Sequence, residues 1–173
     1  MSSETSLCRH LTAPFCIGNG IDVGSGGDPV VPWAIQVDLP LEQFQAYGHA
    51  HAETHPIQWR GSGFDLPFKD GVLDWAFNSH VAEDFVNWSE FLNEQVRVVK
   101  RGGFLIVMVP DRERFREAVA NGQGDNLSHK HEFYVGELTE WAKKRGGLHV
   151  IFDKLTLTRG PRDYNILFVA QKV

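Results

Sequence analysis

The chain has 173 residues, 42% hydrophobic and 23% charged, the size and balance of one globular domain with enough apolar material to bury a core. Its 17 Lys and Arg against 22 Asp and Glu leave a net charge of −5, which argues against a surface built to neutralise many phosphates, so nucleic acid is not an expected partner. No run approaches the roughly 18 apolar residues that span a bilayer. The start, Met1 to Pro14, is too polar for a secretory signal, and the expectation is a cytoplasmic protein with no membrane partner.

We read residues 1–173 as a single domain, residues 1–15 forming an N-terminal extension. Cys8 and Cys16 have no CxxC companion, so neither a disulfide framework nor a zinc site is expected. The first informative element is a short apolar strand, Gly20-Ile21-Asp22-Val23, running into Gly24, Ser25, Gly26 and Gly27. Glycines at the carboxyl end of a strand let the backbone approach a ligand closely, and a cofactor is the natural occupant. A dinucleotide fingerprint would need its third glycine where this chain has Pro29. Only Asp28 to Trp33 lead to the next strand, and two of those six residues are proline, so no pyrophosphate-binding helix fits there. A nicotinamide-dependent oxidoreductase is therefore the disfavoured alternative. The second strand, Ala34 to Val37, ends in Asp38 and Leu39, placing a carboxylate fourteen residues beyond Gly24 at the neighbouring strand end. There it can accept two charge-assisted hydrogen bonds from a ribose diol, which points to a nucleoside without a diphosphate.

Leu41 and Phe44 anchor a solvated helix, and His49, His51 and His55 beside it lack the cysteines or spaced carboxylates of a metal site. Leu73 to Phe77 is the next strand; His80 follows at its carboxyl end with Glu83 one helical turn on. Trp88 to Val99 has helical spacing, with Gly102 and Gly103 as its stop, and Phe104 to Val109 is a buried strand. Arg112, Arg114 and Arg116 alternate with Glu113 and Glu117 as a solvated helix start. His129-Lys130-His131-Glu132-Phe133 lies in a Gly/Asn-rich stretch, read either as a mobile lid beside a substrate or as a cap for the helix beginning near Gly136. That helix, Glu137 to Lys144, carries its bases in the last turn before Gly146 and Gly147. Two strands close the chain, around His149 to Leu157 and Tyr164 to Gln171, joined too tightly for a crossover helix and so antiparallel. The expected class is α/β: a Rossmann-like, doubly wound, mostly parallel sheet with an antiparallel C-terminal hairpin.

The glycine loop, Val37-Asp38-Leu39, the stretch Asp65 to Asp74, the stretch Asn78 to Phe85, and Arg97 to Gly103 together resemble class I S-adenosylmethionine-dependent methyltransferases, in the family's order over roughly residues 18–135. The resemblance implies a seven-stranded sheet with its last strand antiparallel, and S-adenosylmethionine as cofactor. By it, Asp22, Gly24 and Gly26, with Ser25 between them, line the pocket for the methionine end; Asp38 holds the ribose hydroxyls and Leu39 covers one adenine face. Many relatives have an acid four positions before the Leu-Pro pair, where this chain has Ser62, so adenine recognition falls to Gly63, Phe64 or Asp65. Asn78 and Ser79 complete the implied cofactor set.

Methyl transfer from a sulfonium is an in-line displacement that asks the protein mainly to align two partners and exclude water. A hydroxyl acceptor also needs a base. His80, Glu83, His129 and His131 are the candidates for acid/base work or acceptor contact. The expected activity is methyl transfer to a small-molecule or sugar-type acceptor. A catalytically silent cofactor-binding or interaction module is the alternative that Ser62 and the short segment after Gly27 raise.

Overall fold

The computed structural model describes residues 4–40, 42–43, 57–122, 124–156 and 164–173. Leu41, Phe44, His49, His51 and His55 lie outside the described residues. Among the described residues, seven strands form one sheet in the order β3-β2-β1-β4-β5-β7-β6. They are β1 (Gly20–Val23), β2 (Ile35–Asp38), β3 (Trp59–Arg60), β4 (Leu73–Ser79), β5 (Val99–Pro110), β6 (Leu148–Leu155) and β7 (Asn165–Lys172). The pairings from β3 through β5 are parallel, and β7 runs antiparallel to both β5 and β6. The chain reverses direction across the sheet between β1 and β4. At such a switch point the strands' carboxyl ends open a crevice.

Strand alternation sends two sets of side chains to opposite faces. On one face, Ile21, Val23, Ala76, Leu105, Val107 and Phe168 pack beneath α2 (Trp88–Val98) and α4 (Glu137–Arg145), which bury Phe91, Leu92, Val96, Leu138 and Trp141. On the other, Trp75, Phe77, Ile106, Met108 and Val169 pack with Cys8, Cys16, Val30, Val31 and Ala34. Burial of a large apolar side chain is worth about 1.5–3 kcal/mol, so both layers contribute materially to stability. The second layer is built from α1 (Glu4–Thr12), a single 3-10 turn (Ala13–Phe15) and the short segment before β2. Both cysteines are buried thiols outside any disulfide.

One feature differs from the sequence reading and two go beyond it. Helix α2 passes directly into β5 at Val99, so Gly102 and Gly103 lie inside the strand rather than at the helix end; a Cβ on Gly103 would strike the Asp74 carbonyl. The N-terminal extension contains α1, whose buried side chains Thr5, Cys8 and Thr12 give no apolar stripe. Strand β3 is only two half-buried residues, too short for any periodicity. Helix α3 (Arg112–Ala120) starts where the alternating charges placed it, capped by Asp111, whose side chain accepts from the Arg114 N–H.

Candidate active site

The glycine loop sits at the carboxyl end of β1 and is held from both sides. Gly24 N–H donates to the Val37 carbonyl (2.8 Å), Gly26 N–H to Asp38 Oδ2 (2.8 Å) and Asp28 N–H to the Ser25 carbonyl (3.0 Å). Gly24, Gly26 and Gly27 adopt φ of +77°, +59° and +79°, the left-handed region that glycine enters without penalty. At Gly24 a Cβ would collide with Val81, so this glycine serves a close approach to the segment after β4. At Gly26 a Cβ would meet no heavy atom within 4 Å, so the space beside it is open.

Asp22 accepts the Val30 N–H at 2.6 Å and is fully buried. Burial pushes its carboxyl up to about 8, reinforced by Asp38 and Asp28 and opposed by the Val30 bond and Arg9. It lies under the loop rather than at its surface. Ser25 likewise turns inward, its hydroxyl donating to Gln36 Oε1 (3.0 Å). Asp38 stands at the end of β2, accepting Gly26 N–H on one oxygen and Leu39 N–H on the other (2.7 Å). An ionised carboxylate accepts on both oxygens, the group that a ligand diol calls for. Half-buried Leu39 follows, its carbonyl accepting from Arg60.

The adenine candidates form a turn tied to β2 by Gly61 N–H on the Asp38 carbonyl (2.8 Å). Phe64 packs edge-on against Phe85 (4.8 Å) and tilted against Phe91 (5.5 Å), and Asp65 is exposed. At the end of β4, Asn78 Nδ2 donates to Gln95 Oε1 (2.9 Å). That leaves Asn78 Oδ1 and Ser79 Oγ buried without a hydrogen-bond partner. Orphaned polar atoms cost about 1–3 kcal/mol each when nothing meets them. With the open space at Gly26 and the Asp38 carboxylate, they fit a polar nucleoside bearing an amino-acid tail.

A second constellation follows β4 directly. His80 has φ +56°, a strained conformation for a non-glycine residue and one that concentrates at functional sites. A 3-10 turn (Ala82–Asp84) then brings Glu83 back towards it. Glu83 is fully buried and neither oxygen has a hydrogen bond; His80 Nδ1 lies 3.3 Å from its Oε1 and His129 Nε2 lies 3.9 Å away. Burial also pushes the Asp84 carboxyl up, against the pull of its hydrogen bond from the Ser128 hydroxyl (2.6 Å). His129 stacks on Phe115 (4.8 Å), which meets Tyr164 edge-on (5.5 Å), and Tyr164 in turn faces His80 (6.2 Å).

The segment carrying His129 is fastened rather than loose: the Lys130 and His131 N–H groups donate to the Glu83 carbonyl (2.7 and 2.9 Å), and Phe133 bridges to Asp111. His131 itself points elsewhere. Its Nε2 lies 2.7 Å from Glu137 Oε1, and its ring packs on Phe133 and Trp88. The structure thus unites His80, Glu83 and His129 and leaves His131 apart, at the start of α4. Asp84, Phe115, Ser128 and Tyr164 were missed from sequence; the signal available was Phe115 as the lone aromatic in the charged helix α3. Among the described residues no group of three or more His, Cys, Asp or Glu is arranged to hold a metal. A groove of ≈ 540 Å³ between α2 and α4, lined by Trp88, Tyr134, Trp141 and Lys144, is away from the glycine loop.

A seven-stranded sheet of this order, with a glycine loop, a second-strand acid and a switch-point crevice, defines a class I methyltransferase domain. The family model of the methyltransferase domain matches residues 21–107, and the chain belongs to that family, whose cofactor is S-adenosylmethionine. An uncharacterised protein of Methanocaldococcus jannaschii is 33% identical over 116 residues, 66% of this chain and 53% of that protein. A probable S-adenosylmethionine-dependent methyltransferase of Mycolicibacterium smegmatis is 29% identical over 131 residues, 73% of this chain and 49% of that one. The chain therefore spans about half the length of the curated relatives it matches. The fold is shared with a Haloferax volcanii protein solved in complex with a methyltransferase activator (TM-score 0.69, 18% identity, covering 96% of this chain and 88% of that one). It is shared also with a methyltransferase of Mesorhizobium loti (TM-score 0.69, 14% identity, covering 99% of each chain). Among the described residues no helix is long and apolar enough to cross a membrane.

Proposed function

We propose that this domain methylates a hydroxyl on a small-molecule or sugar-type acceptor. The observation that carries the reading is the Glu83 carboxylate, fully buried at the carboxyl end of the sheet between His80 and His129 with no hydrogen bond of its own. Glu83 sets a carboxylate 3.3 Å from His80 Nδ1, where it orients the imidazole, so that the pair can take up a proton from an acceptor. A base of this kind is what a hydroxyl acceptor needs and a carboxylate acceptor does not. Bound S-adenosylmethionine supplies an electrophilic methyl group on a sulfonium. Asp38 holds the ribose, the backbone of Gly24 to Gly27 receives the methionine end, and Asn78 and Ser79 offer their orphaned oxygens to it. Leu39 and Phe64 border the adenine, with Gly63 and Asp65 in the same turn. His129, Phe115 and Tyr164 wall the acceptor side and exclude water. The chain's net charge of −5 further favours an acceptor without a run of phosphates.

The test is transfer from methyl-labelled cofactor to a panel of sugars, phenols and small alcohols, with amines and carboxylates as contrasts. Transfer to hydroxyls is expected, falling about 10²–10⁴-fold in Glu83→Gln, the usual worth of general base catalysis, while S-adenosylhomocysteine affinity is kept. Equal rates in the variant would refute the role of the cluster. Tight cofactor binding without transfer to any acceptor would instead indicate a silent module.

A further inference from the structure

Only seven residues separate Gly27 from β2, with no helix among them to steady the loop's far end. Three left-handed glycines in such a loop are free in the unfolded chain and costly to order. The fastening comes from α1, whose Arg9 lies nineteen residues before Asp28 in the chain. Arg9, in the last turn of α1, donates from Nη2 to Asp28 Oδ1 (2.7 Å) and to the Pro29 carbonyl (3.1 Å). The next residue, Val30, is pinned from below by Asp22 (2.6 Å). Helix α1 is itself held to the sheet: its Cys8 is buried in the core layer with Val30, Trp75 and Phe77, and its Thr5 and Thr12 are buried as well.

We propose that Arg9 is a positioning residue for cofactor binding: it touches no ligand but clamps Asp28 and Pro29, so that α1 supplies the rigidity a crossover helix would otherwise give the glycine loop. This rests on the cofactor reading of the loop. The pair is about one-third exposed on both sides, so its effect is moderate, and it acts through loop order rather than through contact.

Calorimetry with S-adenosylhomocysteine on the full chain, well below the melting temperature, tests it. Arg9→Ala, which removes both bonds, is expected to weaken binding by about threefold to fivefold, and Asp28→Ala, which leaves the bond to the Pro29 carbonyl, by less. The double variant should be no weaker than Arg9→Ala alone, because that substitution already removes every bond of the clamp. Arg9→Lys should recover part of the loss, and the amides of Gly26 and Gly27 should exchange faster in Arg9→Ala. Arg145→Ala, which breaks a bond to Asn93 far from the loop, controls for general destabilisation and should leave affinity unchanged. Affinity within twofold of wild type in Arg9→Ala, additive losses in the double variant, or an equal loss in Arg145→Ala would overturn the proposal. A wild-type chain that does not bind S-adenosylhomocysteine would overturn the cofactor reading itself, a result distinguishable from the others.

Discussion

Replacing Asp38 tests the ribose assignment with a magnitude that follows from the geometry. The side chain is 8% exposed and already accepts from Gly26 and Leu39, so it is fixed in place before any ligand arrives. Hydrogen bonds to a charged group are worth about 1.5–3 kcal/mol. Asp38→Ala is therefore expected to weaken S-adenosylhomocysteine binding by about 10- to 150-fold. Part of that loss comes from freeing the Gly26 N–H, and a 2′-deoxy analogue of the ligand separates the two contributions. Against wild type the analogue binds more weakly than the parent compound; against Asp38→Ala the two should bind alike, because the group that distinguished them is gone. Isothermal calorimetry reads both legs. An affinity within twofold of wild type, or a deoxy penalty that survives in the variant, would refute the assignment.

Asp22 gives a prediction in pH. Its native carboxyl titrates near 8 because burial disfavours the charged form, whereas in the unfolded chain it titrates near 3.8. The native state thus binds the proton more tightly, and this contribution to stability is complete below the unfolded value, declines as pH rises towards 8 and is lost above it. Asp22→Asn, which keeps an acceptor for Val30, should melt above wild type at pH 8.5, with a gap that narrows towards pH 4 in scanning calorimetry; a gap independent of pH would count against the burial argument. Gly24→Ala and Gly26→Ala both force a Cβ into the left-handed region, at about 1–3 kcal/mol each. Only the first also meets Val81, so its urea midpoint should fall further, and the reverse order would contradict the geometry of the loop.

The parallel half of the sheet was legible because its strands are short apolar runs ending in chemically distinctive residues. Val23 into Gly24 and Val37 into Asp38 mark both strand ends and candidate ligand groups at once. The terminal hairpin was legible from connection length alone, although nothing local says that β7 inserts between β5 and β6; that order is a long-range property of the sheet. Helix α1 was not legible as packed structure because its buried residues are Thr5, Cys8 and Thr12, small side chains that suit a close approach without an apolar pattern. Within the candidate site, His80 and Glu83 were found from their place after β4. The distinction between His129 and His131 was not, because it depends on which of two neighbouring rings faces Glu83 and which faces Glu137. The ring contacts from Phe115 through Tyr164 to His80 join residues from distant parts of the chain, and no sequence spacing encodes them.

The most direct test is a crystal structure with S-adenosylhomocysteine. The ribose hydroxyls should lie within hydrogen-bond distance, about 2.6–3.2 Å, of the Asp38 carboxylate, with the homocysteine tail over Gly24 to Gly27. A ligand seated instead in the groove of Trp88 and Trp141, or a crevice at the ends of β1, β2 and β4 filled by the protein's own side chains, would contradict the assignment on which the chemistry depends.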